Sequence, residues 1–174
     1  MSITCKTIVA TLGVTAALAT GYASAEPVLR DLTVNATGIC QSALPVFETA
    51  IRKRPTAIRN EGTTPAFVSC SLPGDFFNEG NVFVGVGLTN LGTAPVTVEC
   101  TFVDGFALPW AGGPTFNTGS VTLPAGGTNA IIWEPADGET FSNNANLSCA
   151  LPVGVEIQLV EIQYEEDNGV EPPK

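Results

Sequence analysis

Apolar and polar residues alternate one by one through much of this chain. Ala66, Val68, Cys70 and Leu72 share one parity in "AFVSCSL" (66–72), and Val82, Val84, Val86 and Leu88 do so in "VFVGVGL" (82–88). In "VTVECTFV" (96–103), Val96, Val98, Cys100 and Phe102 alternate with Thr97, Glu99 and Thr101. A period of two marks a half-buried strand. "GSVTLPAGGTNAIIW" (119–133) is expected to form strand, Gly-Gly turn, strand, and "NANLSCALPVGVEIQLVEIQYEE" (144–166) a hairpin turning at Pro152-Val153-Gly154. In the last strand Val155, Ile157 and Leu159 share one parity, but Val160, Ile162 and Tyr164 share the other. A bulge near 159–160 accounts for the change, as does a strand buried on both faces.

One stretch is written twice. Shifting "RNEGTTPAFVSCSL" (59–72) by 30 positions onto "TNLGTAPVTVECTF" (89–102) matches Asn60 with Asn90, Gly62 with Gly92, Thr63 with Thr93, Pro65 with Pro95, Val68 with Val98 and Cys70 with Cys100. The expected structures are two equivalent hairpins. Asn-x-Gly supplies residues tolerant of positive φ, and proline opens the next strand. "LSCALP" (147–152) echoes "VSCSLP" (68–73) more weakly. The segment "SALPVFETAIRKR" (42–54) fits either a helix with Pro45 in its first turn or an edge strand stopped by Pro55, and the extended reading is preferred. Short strands joined by Gly/Pro turns predict an all-β fold. The expected form is an antiparallel β-sandwich, immunoglobulin-like or jelly-roll-like.

Composition adds the compartment. "MSITCKTIVATLGVTAALATGYASA" (1–25) has an early Lys6, an uncharged stretch and a terminal Ala-Ser-Ala, the layout of a secretory signal peptide. Its apolar part is short for a membrane span, so no stable membrane anchor is expected after cleavage. Cleavage would leave one domain over 26–164 and an acidic, proline-bearing tail over 165–174 that is expected to be disordered. The expected location is the periplasm or the medium. The chain carries 17 acids against 7 cations, a net charge of −10. Such a field repels nucleic acid, which is not an expected partner.

Four cysteines follow the signal segment: Cys40, Cys70, Cys100 and Cys149. In an exported domain they imply two disulfides. Four cysteines allow three connectivities. The pairing adopted is Cys40–Cys70 with Cys100–Cys149, which ties the N-terminal segment to the first hairpin.

Candidate chemistry is sparse. The chain has no histidine, which removes Ser-His-Asp and Cys-His catalysis, and bridged cysteines leave no thiolate. Zinc lacks a C-x-x-C pair, and no cofactor is expected. The acids and amides of 73–81, 134–144 and 165–169 are candidate calcium ligands, though turn chemistry also explains them. Paired carboxylates are the remaining route to hydrolysis, with Glu99, Asp104, Glu134, Asp137, Glu156 and Glu161 as candidates. Glu161 would point inward unless a bulge turns it outward. Phe106, Trp110 and Phe116 lie in "FVDGFALPWAGGPTF" (102–116), and Trp133 ends a later strand. As exposed rings they would stack on sugars or anchor a protein, whereas buried tryptophans would complete the core. Arg52, Lys53, Arg54 and Arg59 would pair with carboxylates, guard a sheet edge, or bind an acidic ligand.

The set "GICQ" (38–41), "NEGTTPAFVSCSLP", "VTVECTF" and "LSCALP" resembles a loose group of uncharacterised exported bacterial four-cysteine β-sandwich proteins. The resemblance spans about residues 38–164 and implies export and fold, with no activity or site residues. The expected function is that of a non-enzymatic binding or structural component of the envelope or extracellular space. The alternative is a carbohydrate-binding module using loop aromatics, and the third class is a carboxylate-dependent hydrolase. A glycan or a protein is the expected partner.

Overall fold

A computed structural model describes residues 28–73, 80–105 and 112–166. Its elements are β1 (Val28–Asn35), a one-turn helix α1 (Ala36–Ile39), β2 (Cys40–Ser42), a 3-10 turn (Pro45–Phe47), β3 (Ile51–Arg54), β4 (Ala57–Asn60), β5 (Ala66–Ser71), β6 (Asn81–Asn90), β7 (Val96–Asp104), β8 (Thr115–Leu123), β9 (Thr128–Trp133), β10 (Ala145–Leu151) and β11 (Val155–Glu166). They form two antiparallel sheets. Sheet A runs β3-β4-β11-β6-β9, with β1 also paired to β11, and sheet B runs β2-β5-β10-β7-β8. The alternating residues of β5, β6 and β7 point between the sheets. Val68, Val84, Leu88, Val98 and Phe102 are fully buried there.

From β4 to β11 every connection crosses from one sheet to the other, except that from β7 to β8. The order 4-11-6-9 facing 5-10-7-8 is that of a jelly roll. It excludes the immunoglobulin-like form, in which several consecutive strands pair within one sheet. The four expected hairpins are therefore corners. The turns at 61–65, 91–95, 124–127 and 152–154 each carry the chain between sheets. Alternation misleads here for a simple reason. It marks one inward face, and the inward face of either sheet writes the same pattern.

The repeated Asn-x-Gly-Thr-x-Pro is one corner used twice, from sheet A to sheet B. Asn60 and Asn90 are both fully buried. Asn60 Nδ2 donates to Thr64 O at 2.9 Å and Leu151 O at 2.8 Å, while its Oδ1 accepts from the Gly62 N–H at 2.9 Å. Asn90 Nδ2 donates to Ala94 O at 2.8 Å and Pro124 O at 3.1 Å, while its Oδ1 accepts from the Gly92 N–H at 2.8 Å. Each side chain thus closes its own corner and holds a corner running the other way. The backbone adds Gly154 N–H to Asn60 O at 2.9 Å and Asn90 N–H to Gly127 O at 2.9 Å. Positive φ is not the reason for the glycines, since neither Gly62 nor Gly92 adopts it. Close approach is: a Cβ on Gly62 would lie 2.6 Å from Ala50 Cβ, and one on Gly92 would lie 3.0 Å from Asn90 Oδ1.

Both disulfides form as expected, Cys40–Cys70 and Cys100–Cys149, and both are cross-strand links within sheet B. Each stabilises by about 3–4 kcal/mol in the chain-entropy model. In β11, Ile157 pairs with Leu88 and Leu159 with Gly87, so Gln158 is the bulged residue, slightly before the expected place. Val160 and Ile162 then point inward, and Glu161 joins Leu159 on the outer face. The strand continues to Glu166, where Arg30 Nε meets Glu166 Oε2 at 2.6 Å, two residues past the expected domain end. The signal segment and residues 167–174 lie outside the described residues. Segment 42–54 divides into a 3-10 turn begun by Pro45 and the edge strand β3, which ends before Pro55.

Candidate functional site

The end of the sandwich opposite the four corners carries the β5–β6, β7–β8 and β9–β10 connections. There a cleft of about 350 Å³ is lined by Asp104 at the end of β7, Thr115 and Asn117 at the start of β8, and Glu134, Glu139, Thr140 and Phe141 from the 134–144 loop. The volume falls within the 300–1,000 Å³ range of small-molecule sites. No cation lines it.

The loop forming one wall is pinned at several points. Asn81 and Phe141 exchange two backbone hydrogen bonds, at 2.9 and 2.8 Å. Asn81 Nδ2 donates to Ser142 O at 3.0 Å, and Asp104 Oδ1 accepts from the Ser142 N–H at 2.6 Å. The Gly105 N–H reaches Asn144 O at 3.0 Å. Beneath, Phe141 meets Phe102 edge-on, with ring centroids 4.7 Å apart, and Phe102 lies 5.9 Å from Trp133. Burial raises the Asp104 carboxyl above its ordinary value, and the Ser142 N–H opposes that rise. Asp104 therefore holds its proton more readily than an exposed carboxylate.

The sequence candidates fall in several places. Asp104 and Glu134 meet in the cleft; Glu139, Thr140 and Thr115 lie in stretches that the sequence singles out (134–144 and 102–116) without being named individually, and Asn117 adjoins the second. Nothing in the alternation separates these four from ordinary turn residues. Phe116 is exposed at 68%. It lies between the cleft residues Thr115 and Asn117, with its ring on the outer face of sheet B. Trp133 is a core residue packed on Phe102, which removes it as a stacking surface. Phe106 and Trp110 lie outside the described residues. Glu99 is on the outer face of sheet B among the hydroxyls of Thr97, Thr101, Ser120 and Thr122. Glu156 is consumed by Arg59, whose Nε lies 2.8 Å from Glu156 Oε2. Glu161 sits on the outer face of sheet A, directly opposite Thr33 on one side and Gly85 on the other.

The basic run is occupied too. Arg54 bonds Glu61 through Nε at 2.7 Å and through Nη2. Arg52 donates to Glu48 O at 3.1 Å and Lys53 to Thr37 O at 3.0 Å. Among the described residues no group of three or more His, Cys, Asp or Glu side chains could hold a metal ion. Nor is any of their helices long and apolar enough to cross a membrane.

No family model and no curated protein matches the sequence. Several solved structures are similar in fold. They include an exo-β-1,3-galactanase from Phanerochaete chrysosporium (9% identity, 76% of this chain and 29% of that one, TM-score 0.44). A family 11 carbohydrate-binding module from Clostridium thermocellum covers 84% of this chain and 91% of its own at 12% identity and TM-score 0.38. The tobacco streak virus coat protein covers 83% and 92% at 12% identity and TM-score 0.34. This chain spans under a third of the galactanase and of the xylanase and glycoside-hydrolase chains it also resembles. Likenesses at TM-scores below 0.5 carry no functional weight.

Proposed function

We propose that this protein is an exported binding protein without catalytic activity, whose loop-end cleft holds a neutral, hydroxyl-rich glycan. The observation behind this reading is the lining of the cleft. Asp104, Glu134, Glu139, Asn117, Thr115 and Thr140 line it, with no Lys or Arg among the described lining residues. Carboxylates and amide oxygens accept from sugar hydroxyls, and the absence of Lys and Arg disfavours phosphate, sulfate and uronate ligands. The exposed Phe116 ring beside the cleft supplies an apolar plane for the C–H face of a sugar. The pinned loop presents these groups without a large ordering cost on binding. The test is a screen of neutral and acidic oligosaccharides against the oxidised protein. Binding confined to neutral glycans is expected; binding to acidic glycans alone, or to none, would overturn the proposal.

A second reading, carboxylate-dependent hydrolysis, has one supporting observation: Asp104, raised by burial, shares the cleft with Glu134. A general acid and a second carboxylate would be assigned to those two residues. Reducing-sugar release from the glycans that bind, abolished by Asp104→Asn, would favour hydrolysis; bound glycan recovered intact would favour simple binding.

A further inference from the structure

Residues 105–133 contain no Asp, Glu, Lys or Arg, 29 consecutive positions in a chain of net charge −10. This neutral stretch builds β8 and β9, the last strands of sheets B and A, so both sheets end on the same uncharged side of the sandwich. The two strands are held together at Gly119, where a Cβ would meet Ile131 Cγ2 at 2.6 Å and the Trp133 ring at 3.3 Å. Apolar side chains stand open beside both edges, Phe116 at 68% and Ile132 at 53% exposure. The other side of the molecule is guarded. β3 ends sheet A with Arg52, Lys53 and Arg54 in four residues, and β2 ends sheet B after only three. Cations and short strands are the usual means of blocking edge pairing. β8 has neither.

The ladder fixes what β8 offers. Cys100 and Cys149 face each other with Cα atoms 4.0 Å apart, the close spacing of a non-hydrogen-bonded pair. The N–H and C=O of Cys100 therefore point to β8, where its partner is Gly119. Alternation then turns the N–H and C=O groups of Phe116, Thr118, Ser120 and Thr122 to the open edge. Among the described residues nothing pairs with them.

We propose that β8 pairs antiparallel with β8 of a second copy about a two-fold axis at Gly119, joining two copies of sheet B into one sheet. Charge selects this occupant. Two copies of so acidic a chain repel most through faces rich in acids, and β8 and β9 carry none, the nearest carboxylate on the outer face of sheet B being Glu99 one strand in from the edge. The strand is also self-complementary. Thr118 of one copy falls opposite Ser120 of the other, and the axis passes between the two Gly119 residues, which carry no side chain. Hydroxyl pairs of this kind already join β7 to β8, Thr97–Thr122 at 3.0 Å and Thr101–Thr118 at 3.3 Å. A closed, isologous pairing yields a dimer and no larger assembly.

Sedimentation analysis of the oxidised protein across concentration and salt tests this. The expected result is a monomer–dimer equilibrium that strengthens with added salt, because screening weakens the net repulsion. Ser120→Pro, which removes an N–H facing the open edge and none that bonds β7, is expected to weaken the dimer by about tenfold or more. Thr118→Lys should do the same from the adjacent pairing position. Ser71→Lys, on an exposed position of β5 away from the edge, should leave it unchanged. A strictly monomeric protein at high concentration and salt would overturn the proposal. So would open-ended assembly, or a dimer that tolerates both β8 substitutions.

Discussion

The two ends of the sandwich treat buried polar groups in opposite ways. At the corner end, Asn60 and Asn90 have both amide atoms bonded, each tying two reversals of the chain together. At the loop end, Asp104 has one backbone donor and is desolvated, and Asn81 Oδ1 is buried with no partner among the described residues. Buried polar atoms are nearly always satisfied, so a departure asks for a reason. The corner end is built for stability alone. The loop end leaves the Asn81 acceptor unpaired beneath the loop that walls the cleft, and desolvates the Asp104 carboxyl that lines it.

The largest expected effect sets the scale for both ends. Replacing Cys100 and Cys149 together by serine should lower unfolding free energy by about 4 kcal/mol, read from guanidinium denaturation. Next, Asn90→Ala or Asn60→Ala should cost about 2–4 kcal/mol each, because buried carbonyls and an N–H lose their partner at two corners at once. Denaturation midpoints check this; a loss under about 0.5 kcal/mol would remove the distinction between the ends. At the loop end, Asn117→Ala with Glu139→Ala should change stability by no more than about 0.5 kcal/mol while weakening neutral-glycan binding by about tenfold or more.

The smallest effect is in pH. Asp104 is raised, so between its ordinary and its native value the folded chain binds more protons than the unfolded chain. Stability from this group falls as pH rises through that window and stays lower above it. Asp104→Asn should remove that slope and slightly stabilise the protein at neutral pH, with the Ser142 N–H still accepted by the amide oxygen. Glu61, at the corner end, is held below its ordinary value chiefly by the hydrogen bond from Arg54. Its contribution is present above the ordinary carboxylate value and lost as pH falls through the native one. Titration of the two carboxyls by NMR should move them in opposite directions.

Much of the fold was legible in the residues. Alternation located β5, β6 and β7 with their inward faces, the phase change located the bulge of β11, and the cysteines paired as expected. The sheet assignment was not legible, because crossing to the opposite sheet and turning back within one bury the same parity. β1, with Leu29 and Leu32 exposed and Val34 half-buried, shows too little contrast to announce itself. The role of Asn60 and Asn90 was written only in their repetition, since a buried amide and a surface turn share the same letters. The cleft was least legible. Asp104 and Glu134 are thirty residues apart, and only the β7–β8 and β9–β10 connections bring them together. Trp133 illustrates the reverse error, a ring with stacking chemistry that the core had already claimed.

Calorimetric titration of a neutral oligosaccharide into three forms of the oxidised protein, native, Asn60→Ala and Asn117→Ala/Glu139→Ala, separates the two ends most directly. Glycan binding should be retained by the native protein and by the folded Asn60→Ala variant, and lost or weakened by about tenfold or more in the cleft variant. Binding that survives the cleft substitutions unchanged, or no neutral glycan bound by the native protein, would contradict the assignment of the loop end as the binding site.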